Sequence, residues 1–205
     1  MDLMKEKIAL CSRKLFDAHG FHGATLRELC KLSLCTMPTI YYYFKNKEQL
    51  FDESVRVAFE ELVARLWSQL PGNVSVQEYA AQMVIQKKQL SPDEKLIYRL
   101  ALKTWLGFEG CDKSRKKLMD WERAEYENSR IRYGGIAASE RWAQFIARSV
   151  TNIIQRIILL DDTMSDREIR EEVGMIFDVA SFSKNKQTKE NENGNTNGKT
   201  GNNQR

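Results

Sequence analysis

The run from Thr36 to Tyr43 contains the side chains best suited to contact a charged polymer. It holds two threonines and three consecutive tyrosines, has no acidic residue, and is followed by Lys45 and Lys47. Hydroxyl groups donate hydrogen bonds to phosphate oxygens, lysines add positive charge, and methionine or aromatic edges contact thymine methyl groups. Because successive side chains on a helix lie about 100° apart, at least one of the three tyrosines must face outwards. The pattern therefore favours a surface that enters a nucleic-acid groove.

Side chains that could perform catalysis are scarce. Histidine occurs twice, as His19 and His22, and the sequence has no Gly-x-Ser-x-Gly, His-Glu-x-x-His or phosphate-binding glycine motif. The acidic pairs Asp161–Asp162 and Glu171–Glu172 are adjacent residues, which point to different sides of a helix. Since no nucleophile, base and orienting group can be assembled from these residues, we expect no enzymatic activity and no cofactor.

The four cysteines do not form a metal-binding pattern. Cys30 and Cys35 are separated by four residues, and no second Cys/His pair follows at a spacing typical of zinc sites. Without a secretory signal, Cys11, Cys30, Cys35 and Cys111 are interpreted as small buried apolar residues. We therefore expect no metal site.

The composition is typical of a globular protein. Of the 205 residues, 42% are apolar and 29% are charged. The net charge of +4 is unevenly distributed: +3 in residues 1–50, −2 in residues 51–182 and +3 in residues 183–205. The first 18 residues contain six basic or acidic side chains after Met4, unlike a signal peptide, and no run of 18 apolar residues occurs. We expect a cytoplasmic protein that does not bind a membrane.

Helix start signals recur along the chain. In the capping box, a hydroxyl accepts a hydrogen bond from a backbone amide and a Glu three residues later reaches back. Four segments fit this box: Thr25–Glu28, Ser75–Glu78, Ser91–Glu94 and Ser165–Glu168. Apolar spacing predicts helices over residues 3–19, 47–70, 75–90, 92–109, 112–133, 136–161 and 165–182. With two short helices before residue 46, the chain is predicted to be all-α with about nine helices.

The two short helices are predicted to start at Thr25 and Thr36 and to be about eight residues long. Helices of this length are not stable alone, so they must pack on the first helix. Two short helices joined by a tight turn form a helix-turn-helix arrangement. Their expected packing contacts are Leu26, Leu29, Cys30, Cys35, Ile40 and Phe44.

The residues of this segment resemble the DNA-binding domain of the TetR family of bacterial transcriptional regulators. The resemblance is carried by Phe16, Gly20, Phe21, Thr25, Leu29, Thr39–Phe44, Lys47 and Leu50. It implies that an operator-facing surface is formed by Thr25, Arg27, Thr36, Met37, Pro38, Thr39, Tyr41, Tyr42 and Tyr43, with Lys47 on a phosphate. One residue departs from the family pattern, because Leu34 stands where the family usually has glycine in the turn. Either this turn avoids a positive φ or Leu34 is strained there.

The resemblance also implies the domain organisation. Residues 1–46 are predicted to form the helix-turn-helix domain, residues 47–182 a helical ligand-binding and dimerisation domain, and residues 183–205 a disordered polar tail. Apolar stripes on the last two helices are predicted to form a homodimer interface: Trp142, Phe145, Ile146, Val150, Ile153 and Ile157 on one, and Ile169, Val173, Ile176 and Phe177 on the other. The alternative is that both stripes belong to the core of a single chain.

The resemblance implies that the middle helices hold a small, largely apolar effector. The predicted lining consists of Trp67, Met83, Tyr98, Trp105, Phe108, Trp121 and Tyr126. The resulting hypothesis is a homodimeric repressor that leaves a pseudo-palindromic, double-stranded operator when the effector binds. A corepressor would use the same coupling in reverse. Two alternatives remain: a helical protein-interaction module, and a DNA-binding protein that is indifferent to ligand.

Overall fold

Nine helices make up the described part of the chain, residues 2–108, 110–135, 137 and 139–180 of a computed structural model. They are α1 (Leu3–Gly23), α2 (Leu26–Ser33), α3 (Met37–Tyr43), α4 (Lys47–Phe51, Asp52–Val57 and Ala58–Ser68 without interruption), α5 (Val76–Lys88), α6 (Pro92–Leu106), α7 (Asp112–Gly134), α8 (Glu140–Leu159) and α9 (residues 166–180). The predicted all-α fold is confirmed. The predicted tail, residues 183–205, and the predicted helix ends at residues 109, 136 and 181–182 lie outside the described residues.

The predicted helix starts are formed by the side chains that signalled them. Thr25 with Glu28 and Ser91 with Glu94 make complete capping boxes. Ser165 and Glu168 also exchange two backbone-to-side-chain hydrogen bonds, at 2.7 and 3.2 Å. The fourth box is half formed: the Ser75 hydroxyl accepts from the Glu78 amide at 3.1 Å, but the Glu78 carboxylate binds Gln82 and Arg170. A partner from distant α9 therefore competes with the local cap.

The first three helices share one core. Leu29, Ile40 and Phe44 are buried, and the other predicted packing residues, Leu26, Cys30 and Cys35, are partly buried against the same cluster. Inside α1, Gly20 has φ 69° and ψ 168°, so the last turn is set off from the rest of the helix. Only glycine adopts this backbone geometry without strain, which explains why the sequence marks a helix end at this position.

The helix-turn-helix segment is joined to the rest of the protein by helices and not by a flexible linker. Helix α4 starts in the amino-terminal core, where Leu50 and Phe51 are buried, and continues to Ser68. Helix α6 packs on α1, and the two are bridged by ion pairs: Lys103 to Asp17 at 2.8 Å, and Arg13 to Asp93 at 2.6 Å. A movement of α4 or α6 would therefore also displace the core that α1, α2 and α3 share.

Seven of the predicted dimer-interface residues are buried within the single chain, which corrects that prediction for them. They are Ile146, Val150, Ile153, Ile157, Ile169, Val173 and Phe177. The reason is that α8 packs on α5, α6 and α7, while α9 is attached to α5, α7 and α8 through Lys88–Asp166, Tyr133–Phe177 and Arg156–Glu172. Trp142 and Ile176 are partly buried and Phe145 is exposed. Two further apolar side chains of α9, Met175 and Val179, are also exposed.

Candidate nucleic-acid interface and ligand cavity

Helix α3 presents most of its polar face to solvent. Ile40 is buried in the core, whereas Tyr41, Tyr42, Thr36 and Pro38 are exposed, Tyr42 most strongly at 81%. Met37 and Thr39 are partly exposed, and Thr25 and Arg27 are exposed at the start of α2. No acidic residue lies in the first turn of α3. A polyanion could therefore approach this helix without charge repulsion from it.

The start of α3 is fixed by its two threonines. The Thr39 amide donates to the Thr36 hydroxyl at 3.4 Å, and the two hydroxyl oxygens are 2.9 Å apart. Pro38 stands in the first turn, where its missing amide hydrogen costs no helical hydrogen bond. One of the two hydroxyls donates its hydrogen to the other, so one O–H group of the pair is left to donate to an external acceptor.

Tyr43 is held against α1 and differs in this from its neighbours. Its hydroxyl donates to Asp2 Oδ2 at 2.6 Å, while Asp2 Oδ1 caps α1 by accepting from the Met4 and Lys5 amides. The hydrogen bond to Asp2 raises the pKa of Tyr43 to about 12, and the same bond lowers the pKa of Asp2. Tyr43 therefore fixes the end of α3 to the start of α1.

Lys47 also has internal partners. Its Nζ lies 4.8 Å from the centre of the Phe21 ring and 3.4 Å from the backbone oxygen of His22 at the end of α1. Partial burial lowers the pKa of Lys47. Lys45, which directly follows the cap of α3, is exposed instead. Lys45 stands two residues after the tyrosine run, whereas the phosphate contact implied by the resemblance was placed at Lys47.

Of the two alternatives for the turn between α2 and α3, the structure shows the second: the turn does not avoid a positive φ at Leu34. This residue has φ 53° and ψ 44°, the left-handed conformation that glycine usually adopts at a helix end. The backbone amides of Leu34 and Cys35 both donate to the Cys30 oxygen, and the Leu34 side chain is 81% exposed. The turn thus has the left-handed backbone geometry, and Leu34 is strained because it is not a glycine.

A cavity of about 90 Å³, partly open to solvent, lies between α4, α5, α6, α7 and α8. Six of the predicted ligand residues line it: Trp67, Met83, Tyr98, Trp105, Trp121 and Tyr126. Phe108 does not, because it stands in the turn after α6 and its ring is 77% exposed. Sequence spacing did not identify other lining residues, among them Phe59, Val63, Lys87, Glu122 and Glu125.

The aromatic lining is already packed against itself. Phe59 makes edge-to-face contacts with Tyr98 and Trp121, with ring centres 5.0 and 4.9 Å apart. Trp67 stacks on Trp121 at 6.0 Å. A volume of 90 Å³ is smaller than the roughly 150 Å³ that holds benzene in an engineered cavity. An aromatic ligand would therefore have to separate these rings and the helices that carry them.

The ionisable groups of the cavity have shifted pKa values. Burial lowers the pKa of Lys87 to about 8, an effect that nearby Glu125 opposes. Burial raises the pKa of Glu122 and of Glu125. Burial, with a contribution from Glu125, raises the pKa of Tyr98. Burial is the main cause of all four pKa shifts, so the ionisable groups of the cavity wall lie in apolar surroundings.

The described part of the chain has neither a metal-binding cluster nor a membrane-spanning helix. No group of three or more His, Cys, Asp or Glu side chains there could hold a metal ion, and the four cysteines are free thiols. None of its helices is long and apolar enough to cross a membrane.

Residues 12–54 match the family model described as bacterial regulatory proteins, tetR family. Three relatives match the same end of the chain. The transcriptional regulator QacR of Staphylococcus aureus is 37% identical over 54 residues, which is 26% of this chain and 29% of QacR. UidR of Escherichia coli is 25% identical over 81 residues, 40% of this chain and 41% of UidR. The biofilm operon regulator IcaR of S. aureus is 32% identical over 59 residues, 29% of this chain and 32% of IcaR. The matches thus span less than half of each relative.

Solved structures resemble the chain over most of its length. GusR of Salmonella enterica aligns with a TM-score of 0.62 at 14% identity, covering 87% of this chain and 93% of GusR. The fatty acid degradation regulator FadR of Bacillus halodurans aligns with a TM-score of 0.63 at 16% identity, covering 86% of this chain and 96% of FadR. At such low identity these likenesses establish the fold alone.

Proposed function

Through its amino-terminal domain this chain belongs to the TetR family of bacterial regulatory proteins, and from that premise we propose that it is a sequence-specific DNA-binding transcriptional regulator. The observation that carries the proposal is the exposed, non-acidic face of α3, held by the Thr36 cap at one end and by the Tyr43–Asp2 bond at the other. A helix fixed at both ends can present Tyr41 and Tyr42 to base edges in one orientation.

The proposed role is repression by a homodimer. One relative, IcaR, is named a negative regulator, which supports this direction. A recognition helix of seven residues contacts few base pairs, so two copies are needed for a specific site. The exposed apolar side chains Phe145 and Met175, together with partly exposed Trp142 and Ile176, are the surface proposed for pairing. The operator would be a pseudo-palindrome whose half-sites are about 34 to 36 Å apart, or a multiple of that distance.

A small, largely apolar effector is proposed to release the operator. Two helices that line the cavity also hold the DNA-binding domain: α4 through Leu50 and Phe51, and α6 through its ion pairs with α1. Helix α4 runs roughly 33 Å from Lys47 to Ser68. Because the cavity is too small for an aromatic ligand without expansion, binding would tilt these helices and change the separation of the two α3 helices in the dimer.

The energy required is modest. A ligand that favours the expanded state by about 2.7 kcal/mol would weaken operator binding about 100-fold. Such a difference lies within the usual range of coupling free energies between two sites. Since only differential affinity shifts the equilibrium, a compound that fits both states equally well would bind without effect.

Selection of bound sequences from random duplexes, using the full chain, tests the central proposal. We expect enrichment of an inverted repeat, and affinity for it that exceeds affinity for random duplex by about 1,000-fold or more at the same salt concentration. Failure to enrich any sequence would favour a helical protein-interaction module instead. Enrichment without any response to aromatic or lipophilic compounds would favour a ligand-indifferent DNA-binding protein.

A further inference from the structure

Lys87 is a fully buried charged side chain in the wall of the cavity. The residue is 1% exposed, and its Nζ has no hydrogen-bond partner among the described residues. It lies on α5 one turn after Met83, which lines the same cavity. A buried amine without a partner loses the hydrogen bonds that it makes to water, and no hydrogen bond within the protein replaces them. The site therefore favours a ligand that brings a hydrogen-bond acceptor, and a negatively charged one most of all.

A second donor without a partner lines the same cavity. The hydroxyl oxygen of Tyr126 is buried and forms no hydrogen bond with the described residues. The ammonium of a lysine can only donate, and a phenol donates one hydrogen bond. One carboxylate has two oxygens with several acceptor positions, so it could accept from both groups at once.

The other charged groups facing the cavity do not supply this acceptor. They are the carboxylates of Glu122 and Glu125 on α7, both partly exposed, and neither is bonded to Lys87. Glu125 accepts a long hydrogen bond from Ser129 instead, at 3.5 Å. Burial raises the pKa of both carboxyls, because it disfavours their charged form.

We propose that the effector is an amphiphilic carboxylic acid whose carboxylate binds Lys87 Nζ and Tyr126 Oη, while its apolar body lies among Phe59, Trp67 and Trp121. The inference rests on the proposed function, in which this cavity is the effector site. Because the cavity of about 90 Å³ is smaller than the roughly 150 Å³ that holds benzene, the helices must move apart to admit this body.

The test compares ligands that share a body and differ in charge. Binding of benzoate, 2-naphthoate and octanoate to the full chain is measured by tryptophan fluorescence and calorimetry, beside their primary amides and 2-naphthylmethylammonium. Three of the four tryptophans line or approach the cavity, so its occupation should change the emission. We expect at least one carboxylate to bind about 10- to 100-fold more tightly than its amide, since a hydrogen bond to a charged group is worth about that factor.

Two variants test whether Lys87 and Tyr126 cause the preference for carboxylate over amide. Lys87→Met keeps an unbranched side chain one atom shorter and removes the charge, and should abolish the preference for carboxylate over amide. Tyr126→Phe should reduce carboxylate affinity about 2- to 10-fold. Lys88→Met is the matched control, because Lys88 is the next residue on α5 and pairs with Asp166 at 2.5 Å outside the cavity. Should Lys87→Met fail to fold, Tyr126→Phe provides the same comparison.

The proposal is overturned if no carboxylate of the series binds, if the ammonium ion binds more tightly than the carboxylate, or if the preference persists in Lys87→Met. Operator release is measured separately. Tight carboxylate binding without operator release would contradict effector control and leave the ligand class intact. Release by ammonium ions alone would contradict the ligand class and leave effector control intact.

Discussion

Tyr42 and Tyr43 are adjacent and chemically identical, yet they have different surroundings. The Tyr42 ring is largely exposed, whereas the Tyr43 hydroxyl is bonded to Asp2 at the start of α1. The two rings contact each other edge to face at 4.9 Å. The Tyr43 ring thus packs against the Tyr42 ring, and of these two tyrosines Tyr42 is the one exposed for contact with a base.

Tyr42 and Lys45 are expected to contribute to DNA binding in different ways. Tyr42→Ala should weaken binding to the selected operator about 10-fold or more, and binding to random duplex much less, because base contacts discriminate between sequences. Lys45→Ala should weaken both alike and reduce the slope of log affinity against log salt by about 0.9. Fluorescence anisotropy titrations at several salt concentrations measure both effects.

Lys116→Ala serves as the control for charge, since Lys116 is exposed on α7, outside the helix-turn-helix segment. It should leave the affinity for either duplex unchanged. Equal losses on operator and random duplex for Tyr42→Ala would mean that this side chain reads no base.

Leu34 carries a backbone cost that a glycine would remove. The left-handed conformation costs a non-glycine residue about 1 kcal/mol, while glycine loses about 0.5 to 1 kcal/mol in the entropy of the unfolded chain. Leu34→Gly should therefore leave the free energy of unfolding unchanged or raise it by up to about 1 kcal/mol. Leu32→Gly, at a half-exposed position inside α2, should lower it by about 1 kcal/mol. Urea unfolding of both variants provides the comparison, and equal destabilisation would contradict the assigned strain.

Among the helices, α4 belongs both to the amino-terminal core and to the wall of the cavity. Its middle stretch, Asp52–Val57, is π-helical and lies where α4 passes from the amino-terminal core to the cavity. Asp52 begins this stretch and joins α4 to α7: it accepts from Arg56 Nε at 2.6 Å and from the Ser114 hydroxyl of α7 at 2.9 Å. Wider turns of this kind often occur at functional positions in helices. We therefore regard Asp52 as the residue that fixes α7 to α4 near the DNA-binding domain.

Asp52 should make the stability of the protein depend on pH in the acid range. The hydrogen bond from Arg56 lowers the pKa of Asp52 to about 2, below its ordinary value of 3.8. A lowered pKa stabilises the fold above pH 4, and this contribution is lost as the pH falls from about 4 to 2. With partial solvent screening, Asp52→Asn should lower the free energy of unfolding by about 1 kcal/mol at pH 7.

The measurement is urea unfolding of both proteins between pH 7 and pH 2. The difference between wild type and Asp52→Asn should shrink as Asp52 becomes protonated. Asp120→Asn is the matched control, because Asp120 forms a longer, exposed pair with Arg123 at 3.6 Å. A difference that stays constant down to pH 2 would show that Asp52 acts through packing and not through its charge.

For the whole molecule, the exposed side chains of α8 and α9 form the surface proposed for the pairing of two copies. Buried Ile157 and Phe177 support the fold of one chain, so Ile157→Glu or Phe177→Asp should unfold or precipitate the protein. The double variant Phe145→Glu/Met175→Glu alters exposed positions and should remain folded. We expect it to be monomeric and to bind the operator at least about 10-fold more weakly. Light scattering with size-exclusion chromatography, and anisotropy on operator DNA, measure these outcomes.

Phe108→Glu controls for the loss of an exposed aromatic residue, since Phe108 stands in the turn after α6. It should remain dimeric with normal operator affinity. A folded, dimeric Phe145→Glu/Met175→Glu variant would place the interface elsewhere.

Local interactions made much of the fold predictable from sequence. Caps such as Thr25–Glu28 and Ser91–Glu94 act within four residues, so the starts of these helices could be located from their own neighbours, whereas α8, which has no side-chain cap, begins at Glu140 and not at residue 136. The same holds for the strain at Leu34, because the preference of a residue for a backbone conformation does not depend on distant partners. Large aromatic residues at helical spacing also indicated six residues of the cavity wall, since helices bury such side chains towards one another.

Tertiary contacts decided which side of each helix is covered and which polar groups find partners. Ile157 and Phe177 belong to the core because several helices surround α8 and α9, a fact that periodicity within either helix cannot supply. Tyr43 meets Asp2 across 41 residues, and Glu78 exchanges its local cap for Arg170 across 92. Lys87 was not recognised as a site residue, because a lysine in an amphipathic helix resembles any solvated lysine until the packing of five helices removes its water. Burial is a property of the whole assembly of helices, so chemistry that depends on burial could be read only from the folded chain.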